Sequence, residues 1–221
     1  IVALSRSGET SETIWAAEKL RALGSPLVVV SCYEDTPLAA CADCTIVIPE
    51  GREQSFAQTR SFASMLVAVQ TLAALVAQDE ALLADLQALP PLAGELIARA
   101  QPLAERLGAE QGYQRITYLG SGALYGLAAE ATIKMIEMSL SIAEAYQFME
   151  FRHGPMALVD QEHLIVGLVA ERTHAHELSV LRELQGLGGR IVALAESADG
   201  LAPAFADCLF LRSARSEEAR A

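Results

Sequence analysis

A segment of about forty residues at the start of the chain recurs near its end at a constant offset. Ile1 and Cys44 have counterparts 164 positions later, at Ile165 and Cys208, and the positions between them align without a gap. Each copy contains an apolar run, a helical pattern that ends in Leu-Gly, and a second apolar run. A gap-free repeat of this kind predicts two copies of one strand–helix–strand unit.

The alternation of strands and helices predicts the fold class. Apolar strands separated by helices are typical of parallel sheets that are covered on both faces. We therefore expect an α/β fold with two doubly wound parallel-sheet, flavodoxin-like subdomains related by the internal repeat. The expected boundaries are 1–78 for the first subdomain, 79–111 for a helical linker and 112–221 for the second subdomain.

The two copies differ in what surrounds them. A further strand and helix, expected at 116–120 and 123–146, precede the second copy only, whereas the helical segment over 50–78 follows the first copy only. We therefore expect the first subdomain to be incomplete at its N-terminus and the second at its C-terminus. The sequence also begins at Ile1 rather than Met, which favours a cut chain end.

Two helical stretches, 56–78 and 92–111, are expected between the copies and are separated by Pro90-Pro91. The longest apolar stretch of the chain, 62–77, lies in the first of them and is interrupted by three polar residues. A membrane span needs about 20 predominantly apolar residues. We therefore expect a buried core helix and no membrane partner.

Charge and cysteine usage limit the possible partners. The chain has 221 residues and a formal net charge of −12, which argues against nucleic acid and anionic membranes because both attract basic surfaces. Cys41 and Cys44 have CxxC spacing, but no second ligand pair accompanies them, and the repeat aligns Cys44 with Cys208. We interpret them as packing cysteines in a reducing cytoplasm, with Cys44 at a repeated core position.

Hydroxyl residues cluster directly after the first predicted strand, in the stretch SRSGETSET over 5–13. Ligands of doubly wound sheets bind where the carboxyl end of a strand leads into a helix, and the unpaired N–H groups of a helix N-terminus attract phosphate. The candidate phosphate-binding residues are Ser5, Arg6, Ser7 and Thr10. The alternative is that these hydroxyls only cap the helix.

The second copy weighs against capping alone. There, Val169, Glu171 and His174 stand at the three positions that carry hydroxyls in the first copy. A helix start of this kind therefore does not require three hydroxyls. The cluster is specific to one half of the chain, as a ligand site would be.

A second candidate site lies on the helix that is expected before the second copy. Polar residues recur there at about half-heptad spacing on an otherwise apolar surface. They are Glu130, Lys134, Glu137, Ser141 and Glu144. One interpretation is a solvated face with ion pairs between successive turns. The apolar remainder of the helix favours the other interpretation, a buried helix whose polar stripe lines a cleft.

No cofactor or metal is expected. Gly120, Gly122 and Gly126 follow a strand and open a helix, but their spacing is GxGxxxG and no acidic residue ends a second strand at the required distance. We interpret these glycines as allowing close packing of the helix on the sheet. His174 and His176 diverge on a helix, so they do not form a metal pair.

Three stretches, SRSGETSET, ATIKMIEMSLSIAEAY and EFRHGP, together resemble the sugar isomerase (SIS) domain family in its two-domain form. Within this family the chain is similar to the isomerase half of glucosamine-6-phosphate synthase, to tagatose-6-phosphate ketose/aldose isomerases and to isomerising aminosugar-phosphate deaminases. The resemblance implies an enzyme that interconverts an aldose and a ketose 6-phosphate through an enediol, or through an enolamine for an aminosugar.

The resemblance also implies roles for individual residues. Glu137 matches the carboxylate that moves a proton between C1 and C2, and Lys134 matches a lysine one helical turn before it. His153, in EFRHGP, matches a ring-opening histidine that the family supplies from a neighbouring subunit. A homodimer is therefore implied as well.

The stretch EGREQSFAQTRSF aligns with the sugar-contacting segment of the family. Glu53, Gln58 and Thr59 are the candidates there, and Gln58 stands where the synthase has a small hydroxyl residue.

We therefore expect a cytoplasmic phosphosugar isomerase that acts on a hexose or aminohexose 6-phosphate. The rival hypothesis is a sugar-phosphate-binding regulatory module, which needs the hydroxyl loop but no catalytic base. The presence of both Glu137 and His153 favours the enzyme.

Overall fold

The computed structural model describes residues 1–110, 112–201, 204–213 and 215–220. The chain divides into two units, 1–86 and 87–221, which we describe separately. In both units short apolar strands alternate with helices along the sequence, as the hydrophobic pattern predicts.

The first unit contains a three-stranded sheet in the order β1-β2-β3, in which all neighbours are parallel. Its elements are β1 (Val2–Leu4), α1 (Ser11–Ala22), β2 (Val28–Ser31), α2 (Pro37–Ala40), β3 (Cys44–Val47), α3 (Arg60–Ala77) and α4 (Glu80–Gln87), with a 3-10 helix at Pro49–Gly51. Ala17 of α1 and Leu38 of α2 pack with Leu27 and Val29 at the central strand. This packing fixes the start of α1 beside the carboxyl ends of β1 and β2.

The second unit contains a five-stranded parallel sheet in the order β5-β4-β6-β7-β8. Its elements are α5 (Leu89–Ala109), β4 (Arg115–Gly120), α6 (Ala123–Ser139), β5 (Ala143–Tyr146), α7 (Phe148–Phe151), β6 (His163–Leu168), α8 (His174–Gly186), β7 (Arg190–Ala195), β8 (Asp207–Phe210) and α9 (Glu217–Arg220), with a 3-10 helix at Pro155–Leu158. Phe148, Phe151 and Leu181 pack against Leu119 and Ile165 of the central strands. Two parallel sheets with flanking helices confirm the predicted α/β class.

The internal repeat is visible in the two sheets. The order β1-β2-β3 in the first unit corresponds to β6-β7-β8 in the second. Val2 lies opposite Val28, and the residues 164 positions later, Val166 and Val192, lie opposite each other in the same way. The register of the third strand differs by one residue between the copies.

The helix predicted over 123–146 is shorter than expected. α6 ends at Ser139, and Leu140 has a φ of 56°, a left-handed conformation that terminates a helix. The residues that follow form β5, which pairs with β4. The assignment of Ser141 and Glu144 to the helical polar stripe was therefore wrong, because strand pairing outweighs the helical pattern there.

The prediction of a buried core helix at 62–77 was also wrong. α3 extends over 18 residues with a mean hydropathy of 1.5, and only 17% of this window is buried in the described part of the chain. Despite its few polar residues, α3 is long and apolar enough to cross a membrane. The core helices of soluble proteins meet the same criteria of length and composition. Leu75 and Val76 are among the apolar side chains that stay exposed.

Two smaller expectations also need correction. Pro90 and Pro91 do not separate two helices, since they lie in the first turn of α5, where a missing N–H costs no helical hydrogen bond. Cys44 lies at the start of the edge strand β3 and is exposed rather than at a core position. Its counterpart Cys208 is partly buried against the core of the second unit.

Candidate functional site

The loop between β1 and α1 is held in shape by its own hydroxyl groups. Ser5 is 7% exposed, and its Oγ accepts a hydrogen bond from the Gly8 N–H at 3.1 Å and lies 3.3 Å from Thr10 Oγ1. Gly8 has a φ of 67°, and a Cβ at this position would clash with the side chain of Thr36. Only glycine fits such a turn. The sequence SRSGET therefore specifies a tight connection from β1 to α1.

The start of α1 leaves backbone donors open. Within the described residues, the N–H groups of Arg6, Ser7 and Thr10 donate no hydrogen bond. Thr10 occupies the N-cap position, but its side chain does not cap the helix. The interpretation that the hydroxyl cluster serves only for capping is therefore not supported. Open N–H groups at the positive end of a helix dipole form a cradle suited to phosphate.

The second repeat satisfies two of the three corresponding groups with carboxylates of the chain itself, whereas the N–H of His174, equivalent to Thr10, donates no hydrogen bond to the described residues. The Ala170 N–H, at the position equivalent to Arg6, donates to Glu177 Oε2 at 2.7 Å. The Glu171 N–H donates to Glu217 Oε2 at 2.9 Å. Glu177 is only 1% exposed, and its other oxygen accepts a threonine hydroxyl. A carboxylate thus occupies the helix start in the second unit, whereas the first unit leaves it open.

Glu53 caps the N-terminus of α3. Its carboxylate accepts hydrogen bonds from the N–H groups of Thr59 at 3.0 Å, Arg60 at 3.2 Å and Ser61 at 3.3 Å, and from the hydroxyls of Thr59 and Ser61. Burial raises the pKa of Glu53, but the hydrogen bonds from Ser61 and Thr59 outweigh burial and lower the pKa to about 2. Glu53 and Thr59 therefore hold each other at the start of α3, and Gln58 beside them is half-buried.

A cleft of about 460 Å³ opens in the first unit between the β1–α1 loop, the loop after β2 and the segment before α3. It brings together Arg6, Ser7 and Glu53 of the predicted site residues. Ser5, Thr10, Gln58 and Thr59 are not among the residues that line it. Part of the predicted phosphate loop and part of the predicted sugar segment thus face one cleft.

In the second unit, Lys134 and Glu137 form an ion pair on α6. Lys134 Nζ lies 2.7 Å from Glu137 Oε2 and 3.4 Å from Glu130 Oε1. Burial lowers the pKa of Lys134, but the hydrogen bond and negative charge of Glu137, together with the charge of Glu130, outweigh burial and raise it. The ammonium group beside Glu137 therefore stays protonated at neutral pH.

The α6 face that carries this pair combines features of both sequence interpretations. Ion pairs typical of a solvated face are present, yet the side chains of Glu130 and Lys134 are only 20% and 21% exposed. Ile133 and Ile136 are 46% and 45% exposed. Because α6 returns from the carboxyl end of β4 to the amino end of β5, Glu137 in its last turn lies far from the carboxyl edge of its own sheet.

His153 lies in an exposed turn between α7 and the following 3-10 helix. Its N–H donates to the Glu150 carbonyl at 3.0 Å, and its ring makes no hydrogen bond to the described residues. The neighbouring Arg152 fixes the turn by donating hydrogen bonds of 2.8 Å and 2.7 Å to the Glu183 carboxylate on α8. In the described part of the chain, no hydrogen bond or ion pair joins His153 to Glu137.

The glycines after β4 have different roles. A Cβ at Gly120 would clash with the backbone of Leu124, so this glycine does allow the predicted close approach of α6 to the sheet. Gly126 has open space around it and does not. Among the residues the structure describes, no group of three or more His, Cys, Asp or Glu is arranged to hold a metal ion.

Sequence reasoning missed three residues that shape these sites. Tyr33 and Asp35 line the cleft of the first unit, and their position just after the carboxyl end of β2 could have identified them. Glu177 fills the helix start of the second unit. The repeat aligns Glu177 with Thr13, so the comparison of the two copies already contained this difference.

The pKa of Glu53 predicts a pH-dependent contribution to stability. The pKa in the folded state, about 2, lies below the value of 4.5 for the free side chain, so the carboxylate stabilises the fold above pH 4.5 and this stabilisation is lost as the pH falls toward 2. We expect Glu53→Gln to lower the free energy of unfolding by about 2 kcal/mol at pH 7 and by much less at pH 3. Urea denaturation at several pH values measures the difference.

Glu18→Gln is the matched control, because Glu18 is an exposed glutamate on α1 in the same unit. Its effect should stay within about 0.5 kcal/mol at all pH values. A Glu53→Gln effect that is equally large at pH 3 and pH 7 would contradict the capping role of the charged carboxylate.

Comparison with known proteins gives consistent matches. The SIS domain matches residues 1–75 and 112–219. The glutamine–fructose-6-phosphate aminotransferase (isomerizing) of Pseudomonas aeruginosa is 33% identical over 213 residues, which are 90% of this chain and 34% of that protein. The C-terminal domain of glucosamine-fructose-6-phosphate aminotransferase from Francisella tularensis superposes with a TM-score of 0.81 at 25% identity, covering 95% of this chain and 62% of that one.

Glucosamine-6-phosphate deaminase from Thermotoga maritima superposes with a TM-score of 0.79 at 25% identity, covering 99% of this chain and 66% of that one. The chain spans about a third of the length of the curated relatives it matches. The SIS domain match extends over most of the chain and includes both parallel sheets. The chain therefore belongs to the SIS domain family.

Proposed function

We propose that the chain catalyses aldose–ketose isomerisation of a hexose or aminohexose 6-phosphate, and for an aminohexose also the accompanying deamination. The observation that carries the proposal is the open helix start after SRSGET, whose counterpart in the second repeat is filled by Glu177. A site for one anion in one half of the chain fits a substrate with one phosphate. The relatives supply the substrate class, since they include an isomerising fructose-6-phosphate aminotransferase and a glucosamine-6-phosphate deaminase.

In this proposal the phosphate binds at the start of α1. The open N–H groups of Arg6, Ser7 and Thr10 donate to its oxygens, and the hydroxyls of Ser5, Ser7 and Thr10 add further donors. The phosphate does not react, so its binding energy serves to position C1 and C2 of the opened sugar.

The segment of Glu53, Gln58 and Thr59 is proposed to contact the sugar. Its shape is supported by the hydrogen bonds of the Glu53 carboxylate to Thr59. Because that carboxylate is already bound to the start of α3, Glu53 fixes the shape of the segment, and it is the one of the three candidates that lines the cleft.

Glu137 is proposed as the base that moves the proton. Its carboxylate takes a proton from the carbon next to the carbonyl, an enediolate forms as the hydroxyl proton moves between O1 and O2, and the carboxylic acid returns the proton to the other carbon. Lys134, which lies 2.7 Å from Glu137, orients the carboxylate and stabilises the negative charge that develops on the enediol oxygens.

His153 is proposed to open the sugar ring by protonating the ring oxygen while the anomeric hydroxyl loses its proton. We propose that it acts in the site of a second copy of the chain. Its exposed ring, and the absence of a hydrogen bond or ion pair to Glu137 among the described residues, support this arrangement. Exposed apolar residues near the end of α6 support a protein contact there. They are Ile133, Ile136, Met138, Leu140 and Ile142.

We also propose a cytoplasmic location and a partner that is neither nucleic acid nor a membrane. The net charge of −12 supports a partner that is neither nucleic acid nor an anionic membrane. Four free cysteines support a reducing, cytoplasmic environment.

Glu137→Gln tests the proton transfer. In heavy water, the full-length wild-type protein should exchange the C2 proton of glucose 6-phosphate, glucosamine 6-phosphate or a related hexose 6-phosphate, as followed by proton NMR. The rate of this exchange should be lower in the variant by a factor on the order of 1,000, because an amide cannot accept the proton. Phosphate binding should persist, since Glu137 lies on α6 and the open helix start is α1.

Glu144→Gln is the control for this experiment, because it removes the same charge from the neighbouring strand β5. It should retain the exchange. Equal exchange by wild type and Glu137→Gln would remove Glu137 from the mechanism. Tight hexose-phosphate binding by the wild type without any exchange would favour the regulatory module.

Mixing two inactive variants tests whether His153 acts across subunits. When Glu137→Gln and His153→Ala chains are unfolded together and reassembled, half of the dimers are mixed. Each mixed dimer then contains one site with both intact residues if His153 comes from the partner. About a quarter of the wild-type rate should return. Sedimentation confirms assembly, and a mixture of wild-type-like size with no activity would show that His153 acts within its own chain.

A further inference from the structure

The side chain of Arg6 extends from the phosphate loop to the segment before α3. Its Nη1 donates to the Ser55 carbonyl at 2.9 Å and to the Phe56 carbonyl at 3.2 Å, and it lies 3.8 Å from Glu53 Oε1. The Nη1 end of the guanidinium is therefore occupied by groups of the chain itself, while Nε and Nη2 donate no hydrogen bond to the described residues. Arginine suits such a contact because its planar head presents several donors at once.

Hydrogen bonds also hold the backbone of Arg6 in place. Its carbonyl accepts the Cys32 N–H at 3.1 Å and the Ser31 hydroxyl at 3.2 Å. Ser31 ends β2 and is fully buried. Arg6 consequently joins three walls of the cleft: the β1–α1 loop, the end of β2 and the segment 53–56.

Glu53 links the Arg6 contact to the start of α3. The carboxylate that faces Arg6 also accepts the N–H groups at the start of α3, so the position of α3 is linked to the phosphate loop through two charged side chains. Both side chains are mostly buried, with 21% of Arg6 and 7% of Glu53 exposed. Partly buried contacts of this kind are less screened by solvent than surface ion pairs.

We propose that Arg6 is a positioning residue that sets the distance between the phosphate loop and the sugar-contacting segment, and that its side chain does not bind the phosphate itself. This inference rests on the proposed function, because it assigns the two sides of the cleft to the two parts of one substrate. A positioning role for Arg6 also predicts that two classes of ligand respond differently to its loss. Inorganic phosphate needs only the loop, whereas a hexose 6-phosphate needs both walls at the right spacing.

Arg6→Gln tests this role, because glutamine keeps the backbone N–H and loses the charged head that reaches Ser55 and Phe56. The KM for a hexose 6-phosphate turned over by the full-length protein should rise about tenfold with kcat nearly unchanged, as expected for lost binding that is uniform along the reaction. The Kd for inorganic phosphate should change by less than about twofold. Amide hydrogen exchange over 53–59 should accelerate without any ligand.

Arg21→Gln is the matched control. Arg21 also donates to a backbone carbonyl, that of Cys41, and pairs with Asp43 at 2.9 Å, but it lies in the last turn of α1. This variant should leave the KM for the hexose 6-phosphate and the amide hydrogen exchange over 53–59 unchanged.

Two results would overturn the inference. One is a loss of inorganic phosphate affinity by Arg6→Gln that matches its loss of hexose 6-phosphate affinity, which would mean that the guanidinium binds the anion directly. The other is unchanged hydrogen exchange over 53–59. If the wild type bound no sugar phosphate, the proposed function would fail, and the exchange experiment would still decide whether Arg6 holds the segment.

Discussion

A helix that begins directly after a parallel strand leaves several backbone N–H groups without helical partners, and the two halves of this chain satisfy them differently. In the second unit, Glu177 and Glu217 accept hydrogen bonds from the equivalent loop. In the first unit, the N–H groups of Arg6 and Ser7 stay open among the described residues. One repeat binds these donors with its own carboxylates, and the other leaves them open, where we propose that an external anion binds. The functional proposal depends on this difference.

In the first unit, charged side chains connect the β1–α1 loop to the segment that we propose contacts the sugar. Arg6 contacts the carbonyls of Ser55 and Phe56, and Glu53 holds the start of α3 with a pKa lowered to about 2. A substrate that is longer than a phosphate ion needs such fixed spacing, because its binding energy is useful only if its reacting carbons are held in place.

The α/β class and the repeated strands could be predicted because the two copies share one apolar strand–helix–strand pattern. The hydroxyl loop was identifiable for the same reason, since the second copy lacks its hydroxyls at Val169 and Glu171. The end of α6 was not predictable from helical spacing, because the left-handed Leu140 and the pairing of β5 with β4 depend on the assembled sheet. The side-chain partners of Arg6 were equally hidden, since they join segments that are about fifty residues apart in sequence.

The most direct test of the account is backbone amide NMR of the full-length protein during titration with inorganic phosphate. The open helix start predicts saturable chemical-shift changes over 5–13, where N–H groups are free to bind an anion. It also predicts no such changes at Ala170 and Glu171, whose N–H groups are already bound by carboxylates. Saturable changes of equal size in both loops, or none over 5–13, would contradict the central claim that only the first repeat holds an anion.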